Sequence, residues 1–263
     1  MTEALAGVVL AAGFGTRLRP LTLQRPKSLC PVGGVPLVDL ALERLEPFCG
    51  KGSDVVAVNA HHHAEQVVSH IGGRALVSVE QPEPLGTAGA LGRLHDWLDG
   101  RDVLLTNADS YLAGPLDDLV DGWDRERCRL LVVDTGAPAD FGTFRYVGAC
   151  LLPSAMVRLL SAEPSGLYEV LWKQQEAEGR LDLLAFSGKA IDCGTPADYL
   201  AANMDASGGQ SVVGEGAVVD GTVERCVVWD GAYVGPDEHL VEVIRAGNRD
   251  NPLTVPARVQ PPA

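Results

Sequence analysis

The sequence predicts an α/β protein built on a doubly wound, mostly parallel sheet, followed by a short left-handed β-helix stub. Three observations carry that prediction. Short, continuous apolar runs at 8–11, 54–58, 76–79, 103–106 and 130–133 read as strands buried on both faces of a sheet. Helix-period segments at 38–45, 64–71, 87–98 and 116–127 separate those runs, and alternation of this kind implies right-handed crossovers. Beyond Ser207-Gly208-Gly209 the composition turns to Val and Gly at a spacing near six, the pattern of hexapeptide β-helix coils. An ordinary β-hairpin tail is the alternative. From about residue 146 the pattern is mixed: a strand over 147–152 and helices over 168–178 and 196–204, the last with Pro196 in its first turn. The expected organisation is a main domain over 1–206 and a tail over 207–263.

Composition excludes several classes of partner. The 263 residues carry 21 Lys+Arg against 35 Asp+Glu, a formal charge of −14. Such an excess of acid argues against a nucleic-acid backbone and against an anionic membrane surface. No run reaches the ~18 apolar residues of a membrane span, and the N-terminus lacks the basic and apolar regions of a secretion signal. Cys30, Cys49, Cys128, Cys150, Cys193 and Cys226 are dispersed with no C-x-x-C pair, so reduced thiols in a cytoplasmic protein are expected. With aromatics at 5% and 30 glycines, the core must be built from Ala, Val and Leu.

On a parallel sheet, ligands bind at the carboxyl ends of the strands. Leu10-Ala11-Ala12-Gly13-Phe14-Gly15-Thr16-Arg17-Leu18 leaves such an end, and a glycine-rich loop there exposes backbone N–H groups able to cradle phosphate or a base. It is not the dinucleotide fingerprint, whose third glycine would fall at Leu18, nor a P-loop, since no Gly-Lys-Ser/Thr closes it. Arg17, Arg25 and Lys27 follow within a proline-rich stretch. Cations held this way beside a phosphate-type loop suit a polyphosphate clamp; solvated surface basics are the plain alternative. Pro84-Leu85-Gly86-Thr87 joins a strand end to a helix N-terminus, where N–H groups favour an anion or a polar base edge. Thr87 acting only as a helix cap is compatible with that. Asp109 closes Thr106-Asn107-Ala108-Asp109 at another strand end, a position suited to Mg²⁺, which takes one or two carboxylates and completes its shell with phosphate and water. A turn aspartate is the alternative there. His61-His62-His63 point in different directions and read as structural, Cys193 has no partner pattern for a nucleophile, Trp97, Trp123 and Trp172 read as core, and Trp229 as packing between coils.

The run L-A-A-G-x-G-T-R-L-x-P-L-T followed by P-K-x-L-x-P-V, residues 10–32, resembles the signature of the sugar-1-phosphate nucleotidyltransferases. Residues 83–91 resemble that family's second nucleotide loop, and Asp192-Cys193-Gly194-Thr195-Pro196 its D-x-G-T-P motif. The resemblance implies a Rossmann-like nucleotidyltransferase domain that joins a nucleoside triphosphate to a sugar 1-phosphate with Mg²⁺ as cofactor. Implied nucleotide contacts are Leu10, Ala11, Ala12, Gly13, Gly15, Thr16, Arg17 and Lys27, then Pro84, Leu85, Gly86, Thr87 and Asn107. Arg17 and Lys27 are the implied catalytic cations, Asp109 and Asp192 the implied metal ligands. Asp109, Gly148 of Tyr146-Val147-Gly148 and Glu169 are the implied contacts to the sugar phosphate.

The chain also departs from the family. Many relatives carry Glu-Lys-Pro after the central strand, whose lysine holds the sugar phosphate; no such motif is present, and Arg145, Lys173 and Lys189 sit in no matching one. The motifs most resemble guanylyltransferases acting on mannose or heptose 1-phosphate. A UTP- or dTTP-dependent enzyme and a non-catalytic nucleotide-sugar-binding regulator are the alternatives. A glycosyltransferase, which usually needs Asp-x-Asp, ranks last. β-Helix stubs often pack against a twin, so a homodimer is expected.

Overall fold

The computed structural model describes residues 5–257. The chain groups into two compact units, Met1–Phe14 with Val38–Ala190 and Gly15–Leu37 with Ile191–Ala263.

The first unit is organised by a seven-stranded sheet. Its strands are β1 (Ala6–Leu10), β2 (Val56–Ala60), β3 (Leu76–Val79), β4 (Val103–Asn107), β5 (Arg129–Asp134), β6 (Phe144–Leu152) and β7 (Asp182–Ala185). The spatial order is β7-β5-β6-β4-β1-β2-β3. Pairing is parallel throughout except for β6, antiparallel to both β4 and β5. Residues 6–9 of β1 and 56–60 of β2 are buried, as continuous Val/Ala runs require when both faces of a sheet are covered. Ala6, Val8, Ala57, Leu105, Leu130 and Cys150 form the core with Leu91, Leu94, Leu98 and Trp172 from the helical layer. Each such leucine contributes about 1.5–3 kcal/mol by leaving water.

Register places the strand ends. Leu10 of β1 lies opposite Asn59 of β2 on one side and Asn107 of β4 on the other. Three carboxyl ends therefore finish level, and the loops that follow them share one edge.

Helices α1 (Leu37–Cys49), α2 (Ala64–Ile71) and α3 (Gly86–Arg93) occupy three of the four expected helical segments. The helix expected over 87–98 breaks at Leu94 and resumes as His95–Leu98. The one expected over 116–127 is reduced to a single turn, Asp117–Val120. Gly122 and Arg125 there take positive φ, and Asp124 Oδ1 accepts the N–H groups of Glu126 and Arg127 at 2.9 and 3.0 Å. A side chain capturing its own following amides competes with helix. The segment expected over 168–178 opens with a π-helical turn, Tyr168–Trp172, before Lys173–Ala177 continues it as α. Trp123 and Trp172 are buried as expected. Trp97 is only partly buried: Arg101 stacks on its ring and its Nε1 donates to Ser53 O at 2.8 Å.

Helix α3 carries glycine at 86, 89 and 92 because another backbone segment lies on that face. A Cβ at Gly89 would stand 2.4 Å from Glu163 O, and one at Gly92 2.2 Å from Ser161 C and O. Alanine has the better helix propensity by about 1 kcal/mol, yet Gly92→Ala is expected to destabilise by roughly 1–3 kcal/mol through overpacking. Urea unfolding of the variant reads this directly. A rise in midpoint would show that the 161–165 segment does not press on the helix.

In the second unit, helix α4 (Pro196–Ala206) starts as its sequence dictates. Thr195 Oγ1 accepts the Asp198 N–H at 3.2 Å and Pro196 occupies the first helical position. After it come β8 (Val212–Val213), β9 (Val218–Val219), β10 (Thr222–Glu224), β11 (Val227–Val228), β12 (Tyr233–Val234), β13 (His239–Val241), β14 (Val243–Ala246) and β15 (Leu253–Pro256). Parallel pairs join β8 to β11 to β14, β9 to β12, and β10 to β13. Only β15 is antiparallel, to β14. Val228, Ala232 and Val234 form a small core of their own.

All six cysteines are free and buried. Desolvation pushes the Cys30, Cys49 and Cys128 thiols up to about 12, and burial raises Cys150 further. Since the thiolate is the nucleophile, the native protein is expected to resist iodoacetamide at pH 8 and to take six labels once unfolded. Rapid native labelling at any of the four would contradict their burial. Among the described residues no helix is long and apolar enough to cross a membrane.

Candidate active site

A cavity of about 370 Å³ opens at the level carboxyl edge of the first unit. Its lining comprises Leu10, Ala12, Gly13, Asn59, Pro84, Gly86, Thr87, Asn107 and Asp109. The two glycine-containing loops and the Asn107–Asp109 turn, far apart in sequence, therefore meet at one concavity. Asn59 was not among the expected residues.

Hydrogen bonding refines the roles of the expected loop residues. The Ala11 N–H donates to Asn59 Oδ1 at 2.6 Å, and the Leu85 N–H donates to Glu80 Oε2 at 2.7 Å. Both amides are engaged inside the protein, and of these loops it is Ala12, Gly13, Pro84, Gly86 and Thr87 whose atoms face the cavity. Thr87 does not cap α3; its Oγ1 accepts the Leu167 N–H at 2.7 Å. His61 has a structural role, its Nδ1 2.9 Å from Glu80 O and its ring edge-on to Phe14.

The Asp109 turn is clamped from α1. Arg44 Nη1 donates to Thr106 Oγ1 at 2.6 Å and its Nη2 to Ser110 O at 2.8 Å, while Thr106 Oγ1 donates to Gly148 O at 3.1 Å. Gly148 has φ +92°, and a Cβ on it would strike Ser110 Oγ at 2.2 Å. The missing side chain at 148 thus has a packing reason within this turn. Glu169 is exposed on the π-helical turn, its carboxylate folded against Gly166. Sequence reasoning missed Arg44, whose signal was a guanidinium within an otherwise apolar helical face.

The second unit gathers Arg17, Lys27 and Asp192. Lys27 Nζ lies 3.3 Å from Asp192 Oδ1, and Arg17 Nη2 3.1 Å from Asp192 Oδ2. Lys27 is turned inward, its side chain 8% exposed, whereas that of Arg17 is 65% exposed. Burial opposes ionisation of Asp192, but Lys27 and Arg17 outweigh it and hold the carboxyl below its ordinary value. Two cations on one carboxylate leave a local excess of one positive charge in a chain of formal charge −14.

Two glycines permit this cluster. Gly15 has φ +61°, and a Cβ there would meet Thr22 Cγ2 at 2.8 Å and Lys27 Cβ at 3.2 Å. One at Gly194 would meet Arg17 Nη2 at 2.5 Å. The Lys27 segment is braced by α4: Tyr199 OH donates to Pro31 O, and Asn203 Oδ1 accepts the Gly33 N–H at 3.0 Å. Trp229, expected between coils, contacts α4 and Arg25. It is 2% exposed, its Nε1 donates to Tyr199 OH at 3.1 Å, and Arg25 stacks 4.3 Å from its ring. The tail thereby supports the segment that presents Lys27.

Among the described residues no group of three or more His, Cys, Asp or Glu could hold a metal alone. Asp192 beside its cations and Asp109 at its strand end are each hard oxygen donors, the chemistry suited to an ion that takes most of its shell from phosphate and water.

The sequence profile described as nucleotidyl transferase matches residues 6–146. The N-acetylmuramate alpha-1-phosphate uridylyltransferase of Caulobacter vibrioides is 28% identical over 230 residues, covering 74% of this chain and 94% of its own. A protein of Oryza sativa subsp. japonica named probable mannose-1-phosphate guanylyltransferase 1 is 25% identical over 295 residues, covering 95% and 81%. The crystal structure of mannose-1-phosphate geranyltransferase from Thermus thermophilus superposes with a TM-score of 0.72 at 18% identity, covering 97% of this chain and 96% of that one. At that identity the last likeness shows the fold.

Proposed function

The chain belongs to the nucleotidyl transferase family, and from that premise we propose that it transfers a nucleoside monophosphate from a nucleoside triphosphate to a sugar 1-phosphate, releasing pyrophosphate. The observation that carries this reading is the Arg17–Lys27–Asp192 cluster, an inward lysine and an outward arginine on one ionised carboxylate. Both reactants are polyanions, so the obstacle is repulsion and alignment rather than bond activation. A phosphate oxygen of the sugar attacks the α-phosphorus, and the bond to the β-phosphate oxygen breaks. No base is needed, because the attacking oxygen is already ionised at neutral pH. Arg17 neutralises the leaving pyrophosphate, Lys27 polarises the α-phosphate, and the cavity holds base and ribose. Catalysis is then positioning plus electrostatics. Asp109 and Asp192 are the proposed holders of Mg²⁺, which when bound would supply positive charge against the phosphates.

For the base we favour guanine, with mannose or heptose 1-phosphate as acceptor. The rice relative supports this, since its match extends over 95% of this chain; the Caulobacter relative, covering 74%, is the case for uridine. Gly148 and Glu169 are the proposed contacts to the sugar. The strands from β8 to β14 we read as left-handed β-helix coils, supported by parallel partners offset by 15 to 17 residues (Val212 with Val227, Thr222 with His239). Exposed Val213 and Val218 in those coils support a homodimer. The proposed reactants and the free thiols support a cytoplasmic location.

Pyrophosphate release from GTP, UTP, dTTP, ATP and CTP, each with mannose, glucose, heptose and N-acetylmuramate 1-phosphates, tests the reading. One pairing should release pyrophosphate only when both substrates and Mg²⁺ are present. Nucleotide binding without turnover in any pairing would favour a regulator instead.

A further inference from the structure

We infer that Asn59 and Glu80 are positioning residues whose side chains form a buried relay fixing the first and second nucleotide loops to one another. The inference rests on the reading of this cavity as a nucleotide site and extends it to residues that do not belong to its motifs. Asn59 is 3% exposed at the end of β2, and Glu80 is wholly buried immediately after β3. The path is continuous. The Ala11 N–H donates to Asn59 Oδ1 at 2.6 Å, Asn59 Nδ2 donates to Glu80 Oε1 at 2.8 Å, and the Leu85 N–H donates to Glu80 Oε2 at 2.7 Å. Ala11 and Leu85 precede the cavity-lining residues Ala12 and Gly86, so the relay sets the spacing of the two loops across the space between them.

Direction matters as much as contact. Both partners of Glu80 are N–H donors, so its carboxyl must accept at each oxygen. An amide side chain can be turned over by exchanging its oxygen and nitrogen. With Glu80 accepting, Asn59 is fixed with its oxygen toward Ala11. A glutamine at position 80 has one acceptor and one donor end, so it can serve Leu85 or Asn59 but not both. One buried donor is then left unpaired, the costly outcome for a hydrogen-bonded pair. The backbone around Glu80 is itself tied down: its N–H donates to Ala60 O at 2.8 Å and its O lies 2.9 Å from His61 Nδ1. Strain from a broken relay therefore falls on the loops rather than on the strand.

The chemistry supplies its own control. In Asn59→Asp alone, two carboxyls face each other. In the double variant N59D/E80Q every donor regains an acceptor. One oxygen of the new carboxylate takes the Ala11 N–H, and its other oxygen takes an N–H of the new amide. The oxygen of that amide takes the Leu85 N–H. The experiment measures steady-state kinetics of wild type, E80Q, N59D and N59D/E80Q with the best triphosphate and sugar 1-phosphate from the panel above. Melting temperatures and amide exchange at Ala11 and Leu85 are read alongside. E80Q should raise the KM for the triphosphate about tenfold, with KM for the sugar phosphate and kcat changed less than about twofold. The double variant should return triphosphate KM to within about threefold of wild type. Where a single variant does not fold, recovery of a folded, near-wild-type double variant supports the relay, and a defective double variant overturns it. An unchanged KM in E80Q, or equal losses for both substrates without rescue, overturns the relay and leaves the proposed function standing. A wild type that turns over no pairing brings down the functional reading, and the relay with it.

Discussion

Lys27→Ala is expected to lower kcat by about 10²–10³-fold, the range for removing one preorganised group aimed at developing charge, with little change in melting temperature. The ammonium is nearly buried beside an ionised carboxylate, so its field is poorly screened and, on the proposed reading, acts on the charge that shifts at the α-phosphate. Its loss leaves Asp192 paired with Arg17, and the fold loses no large apolar contact. Lys27→Arg should rescue poorly. The space is crowded, since even a methyl group at Gly15 would press on Lys27 Cβ at 3.2 Å, and a guanidinium fork does not replace a point charge. Steady-state kinetics with circular dichroism as a folding control measure this. A kcat within about threefold of wild type would remove Lys27 from the chemistry.

The second large effect is expected at the carboxylates. Asp109→Ala and Asp192→Asn should each lower kcat/KM by about 10²–10³-fold and raise the Mg²⁺ concentration needed for half-maximal rate. The two should differ otherwise. Asp109 sits at the end of a turn clamped by Arg44, and as a proposed metal ligand its loss should act on the metal requirement alone. Asp192 also orders Arg17 and Lys27, so Asp192→Asn should additionally weaken binding of the triphosphate. Asp192→Asn should also lower the melting temperature, because the nearly buried Lys27 ammonium loses its carboxylate charge, whereas the exposed Arg17 pair contributes little. A Mg²⁺ titration of each variant reads the first effect and triphosphate KM the second. An unaltered Mg²⁺ dependence in both variants would take them out of the metal site.

Much of this was legible in the chain. The Val/Ala runs gave strands in their expected places, and the loop after β1 and the turn after β4 do share a cavity because their strands end in register. Arg17 and Lys27, from one motif, both pair with Asp192 of another. What was illegible depends on three-dimensional context. The segment at 116–127 has helical periodicity, yet Asp124 captures its own amides. Trp229 reads as a residue between coils, yet it hydrogen-bonds to α4 and stacks under Arg25. Asn59, Glu80 and Arg44 lie in apolar strand ends or a helical stripe, where a single polar residue shows no partner until tertiary structure supplies one. The glycines of α3 look like poor helix formers until the 161–165 backbone is seen lying on them.

The most direct measurement follows the phosphorus. Triphosphate labelled separately at the α and γ positions is incubated with the sugar 1-phosphate and Mg²⁺, and the products are separated. Nucleotidyl transfer by Arg17, Lys27 and the two carboxylates predicts all α label in a nucleoside diphosphate sugar and all γ label in pyrophosphate. Label from the γ position appearing as inorganic phosphate or on the sugar, with none from α in a nucleotide sugar, would contradict it.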